Sequence, residues 1–200
     1  MKGCLELKGA RGMYKIRACF LSLWNLFDPL YYFLSRLSYV DKQNHQNGVF
    51  RVRLTKYRGK DLCLEDGTSI CKNDLLLKIH LHNAKLLKDM YKLDNDFRKG
   101  LYLYNQIKRA LPGLSTFIAN HPDHEKIKAI FGVTMLHQGS ERLGFEIYPI
   151  LNTYYLHFKQ IVQFPIYFLA TVKPNQKKRV RPMPKYLFMT KTALHTKFGK

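Results

Sequence analysis

The chain has 200 residues, of which 46% are hydrophobic and 24% charged, a balance that excludes wholesale disorder and suffices for one well-buried domain. Its 34 Lys and Arg against 14 Asp and Glu give a formal net charge of +20, so its partners are expected to be anions: lipid head groups, phosphorylated polymers or nucleic acid. The imbalance is steepest at the C-terminal end, where no acidic residue follows Glu146 while Lys159, Lys173, the run Lys177-Lys178-Arg179, Arg181 and Lys185 all do. Cys4, Cys19, Cys63 and Cys71 form no CxxC pair and no zinc-like cluster, the pattern of lone thiols in a reducing compartment.

Residues 1–14 carry little pattern and read as a tail. Lys15 and Arg17 precede an apolar run from Ala18 to Phe27, but no small-x-small cleavage site follows and Asp28-Pro29 interrupts it. The run falls short of the roughly 20 apolar residues that span a bilayer. Tyr154 to Val172 is broken by His157, Lys159, Gln160, Gln163 and Pro165. Neither stretch is expected to act as a signal peptide or a membrane span. A cytoplasmic protein, or one peripheral to the inner face of the membrane, is the expectation.

Leu23, Leu26, Phe27, Leu30, Tyr31, Leu34 and Leu37 follow helical spacing and predict an N-terminal helix. A polar loop (41–48) leads to Val49–Tyr57, where Phe50, Val52 and Leu54 alternate with Arg51, Arg53 and Thr55. Short strands at 62–64 and 68–71 flank the turn residues Asp66-Gly67. The most informative run comes next. Leu75, Leu77, Ile79 and Leu81 alternate with Leu76, Lys78, His80 and His82, which predicts a half-buried strand whose even positions turn from the main core.

A helix is predicted from Asn83 to about Leu93, and another from Asp96 to Leu111, where Pro112-Gly113 should break or bend it. Strands follow at 129–136 and 143–150. A helix carrying Leu151, Tyr154, Tyr155, Phe158, Ile161 and Val162 then bends at Pro165. A basic linker (173–184), a short strand at 186–189 and a final helical turn or two complete the chain. This pattern predicts an α+β (mixed α/β) fold over residues 15–200: one mixed sheet of about five or six strands covered by helices, the N-terminal helix first.

Two groups of residues are candidates for chemistry. Lys78, His80 and His82 share one face of their strand, with Asn83 just beyond; Arg51 and Arg53 hold the equivalent positions of the earlier strand. If those strands are neighbours, the face suits a phosphate or carboxylate, because guanidinium groups bind oxyanions through a two-pronged fork. A solvated sheet face explains the same alternation. Glu146 also turns outward on its strand, and with His80 and His82 it could form an open metal site or a base with its orienting group. His121-Pro122-Asp123-His124 reads as a turn. No HExxH, GxGxxG, GxxxxGK or GxSxG motif is present. No nucleic-acid-binding motif accompanies the basic run, which sets nucleic acid behind lipid or glycan as a partner.

The segments Trp24-Asn25-Leu26-Phe27-Asp28-Pro29, Phe50-Arg51-Val52-Arg53, Asp66-Gly67 with Asn73-Asp74-Leu75-Leu76, Lys78 through Leu86, and Pro184-Lys185-Tyr186-Leu187 resemble the YkoP-like family of bacillar bacteria, from about residue 19 to the end. In that family similar regions occur alone or appended to polysaccharide deacetylase domains. The resemblance implies a cell-envelope polysaccharide or glycolipid context, with a deacetylase or glycosyltransferase as partner, and no mechanism. A deacetylase zinc site is not expected here, since His121 and His124 stand three apart rather than four. The leading expectation is a domain that binds an anionic lipid, glycan or phosphorylated ligand. An enzyme centred on His80 and His82 is the alternative, and a non-specific nucleic-acid binder the third.

Overall fold

Strands β2 (Phe50–Lys56) and β5 (Leu75–Leu81) pair along their whole length in antiparallel register, and the rest of the fold is arranged about that pair. The structure is a computed structural model that describes residues 37–40, 48–171 and 183–199, together with Cys19 and Ser22. The expected 1–14 tail, most of the expected N-terminal helix, the loop at 41–47 and the linker at 173–182 lie outside the described residues.

Six strands form the main sheet, in the order β1-β2-β5-β6-β8-β7, where β1 is Ser38–Tyr39, β6 Ile127–Thr134, β7 Glu146–Pro149 and β8 Lys185–Thr190. All neighbours are antiparallel except β5 and β6, which run parallel. Parallel strands need a long crossover. Here it consists of α1 (Asn83–Met90) and α2 (Asp96–Ala119). The mixed sheet and its helices are the α+β architecture expected of the sequence.

Alternation determines which side chains meet which layer. Phe50, Val52, Leu77, Ile130, Leu187 and Met189 pack with Leu111, Leu114 and Ile118 of α2 and with Leu194 of α4 (Lys191–Phe198). On the opposite face, Leu76, Ala129, Phe131 and Phe188 pack under Tyr57, Leu64 and Ile70, from the segment that holds the small hairpin β3 (Leu62–Cys63) and β4 (Ser69–Ile70). Gly67 takes φ 82° in the hairpin turn, a conformation that costs glycine little. Asp66 fastens this hairpin to the sheet by accepting from Thr190 Oγ1 (2.6 Å). Cys63 stands opposite Ser69, so it does not face Cys71 across the hairpin, and both thiols are free.

The prolines do not end their helices. Pro112 lies inside α2 and Pro165 inside α3 (Thr153–Ala170). An interior proline costs about 3 kcal/mol. In α2 the flanking Leu111, Leu114 and Ile118 are buried, and about 1.5–3 kcal/mol for each such side chain outweighs the lost hydrogen bond. Leu143, expected in a strand, instead closes a 3-10 turn (Ser140–Leu143) between two left-handed glycines, Gly139 and Gly144.

Candidate functional site

The paired register of β5 and β6 ends at Lys78 and Phe131. Past that rung, the carboxyl ends of the two strands border a cavity of about 1060 Å³. Open α/β sheets favour ligand sites at the carboxyl ends of parallel strands, where the connections leave on different courses. Here α3 lies across one sheet face, with Tyr155 stacked on Tyr186 (centroids 6.3 Å apart). The Val133 carbonyl, beyond the last β5–β6 rung, accepts from Gln163 Nε2 of α3 (2.7 Å). Met90, Leu103, Ile107, Leu136 and Ile166 give the cavity an apolar share of its lining, with Asp96 and the buried Lys99 also on it.

One end of the cavity is cationic. Arg51 stands opposite His80 and Arg53 opposite Lys78 across the β2–β5 pair, so these four side chains share one sheet face. Lys159 of α3 joins them from above, and Arg51, Lys78, His80 and Lys159 all line the cavity. Burial, then the charges of Lys78, Lys159, Arg53 and Arg51, push His80 down to about 3, so its imidazole is neutral at physiological pH. Burial, together with Lys159 and Arg53, lowers Lys78 to about 8. Lys159 is lowered by burial and by Arg53.

Aromatic rings hold the two ammonium groups without neutralising them. Lys78 Nζ lies 5.8 Å from the Phe131 ring and Lys159 Nζ 5.3 Å from that of Tyr155. Arg51 is only 3% exposed; its Nη2 donates to Tyr39 Oη (2.9 Å). Among the described residues, Asp96 is the only carboxylate that lines the cavity. Such an arrangement has the charge and the donors for an oxyanion.

The structure therefore brings together Arg51, Arg53, Lys78 and His80, and places Asn83 on the cavity wall as the first residue of α1. His82 does not line the cavity: it is the residue before α1 (φ −74°, ψ 78°), its N–H donates to the Val49 carbonyl (2.9 Å), and its ring meets Tyr39, the acceptor of Arg51, edge-on at 6.2 Å. Glu146 is also elsewhere. It lies on edge strand β7, separated from β5 by β6 and β8, and its Oε2 accepts from the Glu65 backbone N–H (3.0 Å) and Tyr148 Oη (2.8 Å). The expected grouping of His80, His82 and Glu146 is not assembled. Among the described residues no cluster of three or more His, Cys, Asp or Glu side chains could hold a metal ion. His121 and Asp123 form a turn in which His121 Nδ1 accepts from the Asp123 N–H (3.0 Å).

Lys159 and Gln163 are absent from the sequence-based candidates. Their signal is faint but physical. They are polar, one helical turn apart, on a helix whose other positions are largely apolar, and spacing by four places them on one side.

The profile of the YkoP domain matches residues 17–198. The chain is 45% identical to "Uncharacterized protein YkoP" of Bacillus subtilis (strain 168) over 185 residues, which cover 92% of this chain and 99% of that relative. No solved structure matches it.

Proposed function

Because the chain belongs to the YkoP domain family, we propose for it a role that rests on its own cavity: binding an amphiphile with a phosphate-bearing head and an apolar tail. The observation that carries this reading is the presence of Arg51, Lys78 and Lys159 on the lining of one cavity together with Met90, Leu103, Ile107, Leu136 and Ile166. Like charges so placed repel one another, and an oxyanion between them removes the repulsion while accepting their hydrogen bonds. Gln163 Oε1 is buried on the cavity wall without a hydrogen-bond partner among the described residues, which suits a hydroxyl donor on the same ligand. Glycan-phosphate lipids of the cell envelope unite these features, and this ligand class suits an accessory role beside a deacetylase or glycosyltransferase.

Calorimetric titration with octyl phosphate, against octanol and inorganic phosphate, tests the reading. Saturable binding of octyl phosphate, at least tenfold weaker for either control and for Lys78→Met, is the expected result. Equal affinity for octanol would remove the cationic end from the account. Sequence-blind binding to duplex DNA that octyl phosphate does not compete for would favour the nucleic-acid reading, since phosphate-backbone contacts alone behave that way.

An enzymatic reading keeps one specific support, the neutral imidazole of His80 at the cationic end, which could take a proton from a ligand hydroxyl. Turnover of a phosphodiester or glycosyl phosphate by the wild type, lost in His80→Gln with binding retained, is its distinguishing result.

A further inference from the structure

Helix α3 has two faces of use, and the cavity accounts for only one. Tyr155, Lys159 and Gln163 recur every four residues on the inner side, against the sheet and the cavity. The opposite side carries Tyr154, Phe158 and Ile161, which are 90%, 57% and 74% exposed, and is extended by the exposed Leu151, Val162 and Phe164. Single exposed apolar residues are ordinary on a protein surface; five on one helix, with Leu151 just before its N-cap, mark a contact surface.

We infer that this outer face of α3 docks on the surface of an anionic bilayer. No helix among the described residues is long and apolar enough to cross a membrane, so the contact is parallel to the surface rather than through it. The choice of a bilayer over a protein follows from charge. Helix α3 contains no acidic residue, and the chain as a whole carries a formal net charge of +20. A face of apolar and aromatic side chains on so cationic a protein complements acyl chains beneath anionic head groups.

The docking surface also adjoins the cavity. Val162 is both exposed and part of the cavity wall, one residue from Gln163 and three from Lys159. A bilayer held against Tyr154, Phe158 and Ile161 therefore lies beside an opening through which a lipid could pass tail-first, its phosphate meeting Lys159. This route rests on the ligand reading above; the docking itself does not.

Co-sedimentation with phosphatidylcholine vesicles, with and without about one-third phosphatidylglycerol, tests the docking at low and physiological salt. The wild type should pellet with the anionic vesicles and be released by salt. The double variant Tyr154→Glu/Ile161→Glu should lose at least tenfold in partitioning, with an unchanged thermal midpoint because both sites are exposed. Equal pelleting of the double variant, or none by the wild type, overturns the inference. So does a wild-type dimer that the double variant dissociates while vesicles go unbound, because a second copy of the chain would then own the face. Octyl phosphate titration of the double variant separates the two proposals. Its retention with vesicle binding lost supports both, and its absence from wild type that still pellets defeats the ligand reading alone.

Discussion

Arg53 and Lys78 are register partners across the β2–β5 pair, two cations placed directly opposite each other on one sheet face. Like charges in that relation destabilise a sheet. Burial, Lys159 and Arg53 keep Lys78 near pKa 8, and among the described residues Lys78 has no carboxylate partner. A fold that retains such a pair gives up stability at a place where something else gains by it.

Lys78→Met should therefore stabilise the ligand-free protein by about 0.5–1 kcal/mol, since it removes the repulsion and keeps the chain's packing length. Urea denaturation measures this. The same variant should lose octyl phosphate binding, and a variant both less stable and fully competent to bind would contradict this account of the pair.

Binding of an anion should also depend on Lys78's proton. With the folded value near 8, the ammonium is present below that pH and disappears above it. Octyl sulfate, whose charge stays constant over this range, should bind more weakly as pH rises from about 7 to 9. Bound sulfate favours the ammonium, so complex formation should take up protons near pH 8, detectable as a buffer-dependent calorimetric heat.

His80 should contribute to the acid limb of stability. Its folded value is about 3 against an ordinary 6.5, so between those values the unfolded chain binds the extra proton. Stability attributable to this group is intact above pH 6.5 and falls as the pH drops through the window, by roughly 1.4 kcal/mol per pH unit at the steepest. His80→Gln should flatten that limb. An unchanged acid slope in the variant would show that burial does not suppress the charge of this imidazole.

Glu146 should matter to the fold and not to the cavity. Its carboxylate gathers the Glu65 N–H and the Tyr148 hydroxyl, and burial with Glu146 itself raises Tyr148 to about 12. Glu146→Leu removes both of these hydrogen bonds, though Tyr148 Oη keeps the Cys63 carbonyl as acceptor (3.0 Å), and should cost about 0.5–1.5 kcal/mol by denaturation. Octyl phosphate affinity should remain within twofold of wild type.

The alternation in β2 and β5 made their facing legible before any coordinates, and with it the common orientation of Arg51, Arg53, Lys78 and His80. Periodicity cannot name a neighbour. Nothing in residues 49–57 and 75–81 states that they pair, or that Arg51 meets His80 rather than Lys78. His82 continues the period-two pattern one residue past β5, and nothing in that pattern says that it lies beside Tyr39 rather than on the cavity wall. Pro112 read as a break or bend for a related reason: local propensity was the only visible term, while the buried leucines that carry α2 past it are tertiary. Lys159 and Gln163 depend on α3 returning over the sheet, which is a property of the whole chain.

The amide of Gln163 stands where a sheet would ordinarily place the backbone of another strand, because it satisfies the Val133 carbonyl after β5 and β6 part company. That single side chain ties the position of a helix to the integrity of a strand end. If α3 tilts, Val133 loses its donor, and the hydrogen bond restrains the mouth of the cavity like a latch. Hydrogen exchange near the end of β6 should therefore report events on the outside of the helix.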